Sequence, residues 1–91
     1  KIRNYGIFAM MKDVRYKRQS DFLIQFGRRV RTYRMRKGMS MQALADACEV
    51  DYSQIARIEH STITTSLEML RRVAGALDLH PRDLMDYEWE E

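Results

Sequence analysis

From Asp21 onward, apolar side chains recur at steps of three and four, as Phe22, Phe26, Val30 and Tyr33, while Arg28, Arg29, Arg31, Arg34 and Arg36 occupy the other faces. This period predicts an amphipathic first helix ending near Lys37, with cations in its last turn and Gly38 as a left-handed stop. Ser40 then reads as the N-cap of a short second helix, Met41 to about Cys48, with Leu44 and Cys48 pointing the same way. Asp51 is expected to cap a third helix through its carboxylate, with Gln54 completing a capping box. Within that helix Ile55 and Ile58 face inward, leaving Tyr52, Ser53, Ala56 and Arg57 outside.

The hydroxyl-rich stretch His60–Thr64 leads to a fourth start, Thr65 with Glu68 three residues on, followed by an apolar stripe of Leu67, Leu70, Val73, Ala74 and Leu77. Pro81 opens a predicted fifth helix, Arg82 to about Tyr87, that carries Leu84 and Met85. No strand pattern or internal repeat interrupts residues 20–87, and every connection is short. The pattern predicts an all-α domain over residues 20–87, an N-terminal arm over 1–19 and an acidic tail over 88–91. The sequence opens with Lys, and Met10 or Met11 offers a start, so part of the arm is expected to be foreign or upstream.

Ninety-one residues support one core. No apolar run reaches the roughly 18 residues that span a bilayer, so no membrane association is expected. The lone Cys48 cannot form an internal disulfide, which fits a reducing cytoplasm. The net charge of +3 conceals a division: residues 1–37 hold 12 Lys/Arg against 2 Asp/Glu, and residues 38–91 hold 4 against 11. A basic N-terminal part suits a polyanion, and Lys1, Arg3, Lys12, Arg15, Lys17 and Arg18 fit a phosphate-seeking arm. Solvated helix faces are as common a reason for such charge, so a site is needed.

Enzymatic chemistry has no candidates, for there is no glycine-rich phosphate loop, nucleophile–base pair or carboxylate dyad. His60 and His80 lack the spacing of a zinc site, and neither a metal nor a cofactor is expected. Cys48 reads as a small buried apolar residue, and Met35, Met39, Met69 and Met85 fall at helical spacings that suit core filling.

A basic helix followed by two short helices joined by a tight turn is the helix-turn-helix arrangement, whose second short helix lies in the DNA major groove. Residues 26–85, through the strings FGRRVRTYRMRKGMS, LADACEVDYSQIARIE and SLEMLRRVAGALDLHPRDLM, resemble the phage-repressor and Cro-type, or XRE, family. The resemblance implies a compact five-helix lambda-repressor-like domain that binds double-stranded DNA, usually an inverted-repeat operator, as a homodimer and most often as a repressor. It implies base contacts by Tyr52, Ser53 and Arg57, and a structural ion pair between Arg34 and Glu59. Met41 stands where the family usually carries a phosphate-binding Gln, and neighbouring Gln42 is expected to reach instead. With Ser40, Arg36, Lys37, Thr62 and Thr64 it makes the expected phosphate-contacting set. Glu49 occupies the turn position that is commonly Gly, implying either a left-handed residue at a cost on the order of 1 kcal/mol or a slightly different turn.

Leu84, Met85, Tyr87 and Trp89 are expected at a dimer interface, because aromatic residues at the end of a small domain close the core or meet a partner. The other reading is a protein-interaction module, such as an antitoxin or partner-docking domain with weak DNA binding. It draws on the low positive charge of residues 50–65.

Overall fold

The computed structural model describes residues 21–86. The expected arm, the acidic tail, Tyr87 and Trp89 lie outside the described residues. Four α-helices follow in order: α1 (Asp21–Arg36), α2 (Met41–Cys48), α3 (Tyr52–Glu59) and α4 (Leu67–Ala76). A 3-10 helix, Pro81–Leu84, completes the described chain, and none of the described residues forms a strand.

The five-helix expectation is therefore corrected to four α-helices and one 3-10 turn. The His80 amide donates to Asp83 Oδ2 at 2.9 Å, and the Arg82 amide donates to His80 Nδ1 at 3.1 Å. The Asp83 and Met85 amides then bond three residues back, to the His80 and Arg82 carbonyls. These tight caps hold the segment at 3-10 pitch while Leu84 drops into the core with no exposed surface.

The core joins Phe26 and Val30 of α1, Leu44, Ala45 and Cys48 of α2, Ile55 and Ile58 of α3, and Met69, Val73 and Ala74 of α4 with Leu77 and Leu84. Met41, the departure from the family's Gln, packs its thioether against this cluster. Two expected core positions are corrected: Leu67 is 84% exposed and Met35 58% exposed. Helix α4 begins one residue later than expected, because Ser66 rather than Thr65 accepts from the Met69 amide, at 3.0 Å. The buried face is consequently set by Met69, Val73 and Ala74. Glu68 forms no capping box and instead pairs with Arg71 and Arg72, at 2.5 and 3.1 Å, which hold its carboxyl down at about 2.

Helix ends share one device. Gly38, Glu49, Ser61 and Asp78 all have φ between 61° and 75°, each just beyond a helix. After α2 the Glu49 and Val50 amides return to the Asp46 and Ala45 carbonyls at 3.1 and 3.0 Å, which makes the tight turn into α3. The expected Asp51 side-chain cap of α3 is absent: Asp51 is the N-cap residue but its carboxylate makes no cap hydrogen bond. The turn is already closed by backbone, since the Gln54 amide donates to the Asp51 carbonyl at 2.9 Å.

Gly27 sets how α1 meets α3. A Cβ at this position would stand 2.5 Å from the Ile58 carbonyl oxygen and 3.0 Å from those of Glu59 and Ser61 Oγ. Ser61, buried and left-handed, donates its hydroxyl to the Leu23 carbonyl at 3.0 Å and fastens the same junction.

Gly27→Ala forces backbone apart in a packed interface and is expected to cost about 1–3 kcal/mol in urea unfolding. Glu49→Gly, which relieves a left-handed side chain, is expected to raise stability by roughly 1 kcal/mol in the same measurement. A loss on Glu49→Gly would refute the strain assigned to that turn.

Candidate nucleic-acid interface

Helix α3 is amphipathic over two turns. Ile55 and Ile58 are fully or nearly fully buried, whereas Tyr52, Ser53 and Arg57 are exposed, Tyr52 by 46%. The three side chains named from the sequence thus share one outward face, with Ala56 half-buried among them. A tyrosine ring with a hydroxyl, a small hydroxyl and a guanidinium together carry both donors and acceptors, the groups that a base-pair edge can pair with. Arg57 makes no ion pair among the described residues, which leaves its fork of donors unspent.

The inner side of α3 is fixed to α1 by charge as well as by packing. Arg34 Nε and Nη2 donate to the two carboxylate oxygens of Glu59 at 2.6 and 3.0 Å, and Nη1 donates to the Met39 carbonyl at 2.8 Å. The side chains are 11% and 3% exposed. Hydrogen bonding to Glu59 outweighs desolvation and raises the Arg34 pKa above its ordinary value. One guanidinium therefore joins the end of α1, the turn before α2 and the end of α3.

The proposed phosphate-contacting residues separate into two groups. Ser40 caps α2, its Oγ accepting from the Ala43 amide at 3.0 Å, and remains exposed. Gln42 is exposed beside it and donates its amide to Asp46 Oδ1 at 2.9 Å, so its reach outward is partly taken up. Thr62 and Thr64 are exposed in the loop after α3, where the Thr62 amide donates to the Arg57 carbonyl at 2.9 Å.

Arg36 and Lys37 do not join that group. The Arg36 guanidinium lies over the Tyr33 ring, 5.4 Å from its centroid, and the nine residues between Gly27 and Arg36, about two and a half helical turns, put it on the side of α1 opposite the one that meets α3. Lys37 is ion-paired with Asp78 beyond the end of α4. Their charge was legible in the sequence but the direction set by these partners was not. Gly27 and Ser61, which position α3, were not singled out from the sequence. Their signals were a glycine inside a helix and a small hydroxyl just past a helix end.

The expected dimer residues separate similarly. Leu84 is removed from that set, since it is fully buried in its own core and has no surface to offer. Met85 is half-buried and lines an apolar groove of about 100 Å³ with Phe22, Leu23, Leu67 and Leu70. Cys48 is buried, and burial pushes its thiol pKa up, away from reactivity. No group of His, Cys, Asp and Glu suited to a metal ion occurs among the described residues. No helix among them is long and apolar enough to cross a membrane.

The helix-turn-helix family matches residues 30–84. The chain is 36% identical over 63 residues to the control protein C.BamHI of Bacillus amyloliquefaciens, covering 68% of this chain and 78% of that protein. It is 34% identical over 65 residues to the HTH-type transcriptional regulator SinR of Bacillus subtilis (strain 168), covering 70% of this chain and 59% of SinR. The structure of the restriction-modification controller protein C.AhdI from Aeromonas hydrophila superposes with a TM-score of 0.67 at 37% identity, over 68% of this chain and 94% of that one. The clp gene regulator ClgR from C. glutamicum superposes with a TM-score of 0.68 at 26% identity, over 72% and 86%.

Replacing Arg34 by Ala leaves the Glu59 carboxylate buried without its cation. It is expected to cost about 3–5 kcal/mol, a large share of the stability of a domain this size, in thermal or urea unfolding. A loss below about 1 kcal/mol would place the pair among weak surface bridges.

Proposed function

Because this chain belongs to the helix-turn-helix family and is a DNA-binding transcriptional regulator rather than an enzyme, we propose that it binds a short inverted repeat as a homodimer and represses the promoter there. The observation that carries this reading is the outward face of α3. Tyr52, Ser53 and Arg57 stand free of the core on a helix whose inner side is held by Ile55, Ile58 and the Arg34–Glu59 pair.

In this reading α3 enters the major groove and Arg57 pairs bidentately with a guanine, a contact worth about 1–3 kcal/mol of discrimination. Tyr52 combines ring packing with a hydroxyl hydrogen bond, and Ser53 contacts a neighbouring base or phosphate. Ser40 and Gln42 at the start of α2, with Thr62 and Thr64 after α3, hold the flanking phosphates and set the register. Arg57 is the only Lys or Arg in residues 50–65, so each subunit grips weakly and with a shallow dependence on salt.

A two-fold dimer supplies the missing strength by placing two α3 helices about 34 Å apart, one turn of duplex. Exposed Leu67 and half-buried Met85 border the apolar groove and suit such an interface, with Tyr87 and Trp89 following in the chain. The relatives named as a control protein and a restriction-modification controller support a role at a restriction-modification locus, in the cytoplasm.

Selection of bound duplexes from a random pool is expected to yield an inverted repeat. Arg57→Ala should lower affinity for it by about 1–3 kcal/mol at one base position per half-site while leaving circular dichroism unchanged. An unaltered footprint and affinity would remove Arg57 from base reading.

A further inference from the structure

The outer face of α1 is basic, concave and directed away from the helix that reads DNA. Gly27 and Arg34 mark the side of α1 that meets α3. Nine residues, about two and a half helical turns, separate Gly27 from Arg36, which puts Arg36 on the opposite side. Gln25, Arg28, Arg29, Thr32, Tyr33 and Arg36 line a recess of about 410 Å³ there. A duplex held by the outward face of α3 leaves this recess uncovered.

Its charge is also unspent. Arg34 is neutralised by Glu59 and Lys37 by Asp78, whereas neither Arg28 nor Arg36 has an ion-pair partner among the described residues. The recess is preorganised: Arg29 is fixed by two hydrogen bonds to the Asp83 carbonyl, at 3.1 and 2.9 Å, and donates to Tyr33 Oη at 3.1 Å. The Arg29 and Arg36 guanidinium carbons each lie 5.4 Å from the Tyr33 ring centroid. Exposed Met35 stands outside the lining itself, three residues and about one helical turn from Thr32, which lines it.

We propose that this face of α1 docks an acidic, partly apolar peptide segment of a partner protein, independently of the duplex on α3. Guanidinium groups take carboxylates in bidentate fashion, and the exposed Met35 and the Tyr33 ring give apolar side chains a place to rest. A phosphodiester backbone has the charge but nothing to set against Met35. The assignment of α3 to DNA enters only through the direction in which the recess faces.

The test uses the whole chain and a fluorescein-labelled twelve-residue peptide of alternating Glu and Leu, read by anisotropy at physiological salt. Binding to the selected duplex is measured in parallel. Saturable binding is expected for the Glu peptide and none for its Gln counterpart. The double substitution Gln25→Glu/Arg28→Glu, or Arg28→Gln alone, should weaken peptide binding, the double one by about tenfold or more, and leave duplex binding within about twofold. Arg57→Ala should do the reverse. Equal binding of the Glu and Gln peptides, or no binding of either, overturns the proposal. So does a parallel loss of peptide and duplex binding on Gln25→Glu/Arg28→Glu, which would give the face to phosphates. Failure of the wild-type chain to select any duplex, with the peptide still bound, would instead fault the DNA reading alone.

Discussion

The distance between α1 and the end of α3 governs the rest of this domain. At Gly27 the two backbones approach so closely that a single methyl group would collide with the Ile58 carbonyl. Arg34, two turns further along α1, reaches the Glu59 carboxylate from the same side. A steric contact and a charged one thus fix the same helix at adjacent points. A buried ion pair adds little net stability, because desolvation of both charges offsets their attraction. Its effect is geometric: with the bond to the Met39 carbonyl, it links three elements through one planar group. The orientation of α3 follows from that link together with the burial of Ile55 and Ile58.

The arginines that give α1 its basic character have distinct occupations. Arg34 is an internal brace, Arg29 holds the 3-10 helix through the Asp83 carbonyl, and Arg36 lies against Tyr33. Net charge therefore says little about where a polyanion sits on this molecule. The side of the domain that presents α3 draws on hydroxyls, amides and Arg57, which suits a reader that relies on geometry and on pairing of subunits.

The helix periods were legible in the sequence because apolar residues at steps of three and four have one inexpensive arrangement in water. Ser40 and Gly38 were legible for the same local reason, each satisfying a helix end through its own chemistry. Where two hydroxyls adjoin, as in Thr65 and Ser66, local chemistry does not choose, and in the folded chain it is Ser66 that accepts from the Met69 amide. Met35 and Leu67 fit the periodic pattern yet face outward, because a stripe shows which residues share a side and not how far the neighbouring helix extends over it. Leu84 was assigned to a partner when its own core needed it. The outward position of Tyr52, Ser53 and Arg57 on α3 was legible in the helical period, and only their choice as base contacts came through the family resemblance. The heading of Lys37 depends on Asp78, which meets it only in the folded chain, and that of Arg36 on Tyr33, one turn before it on the same helix.

The inward and outward sides of α3 divide most duties. Ile55, Ile58 and Glu59 hold the helix, Ser53 and Arg57 are exposed, and Tyr52, 46% exposed, lies near enough to favour the charge on Arg34. Exchange of Ser53 and Arg57 is accordingly close to neutral for folding, since exposed positions free of special geometry tolerate substitution. On the proposed reading of α3, such a scaffold can drift from one operator to another by point changes without passing through an unfolded ancestor, and related regulators in one cell can diverge into non-interfering pairs of protein and promoter.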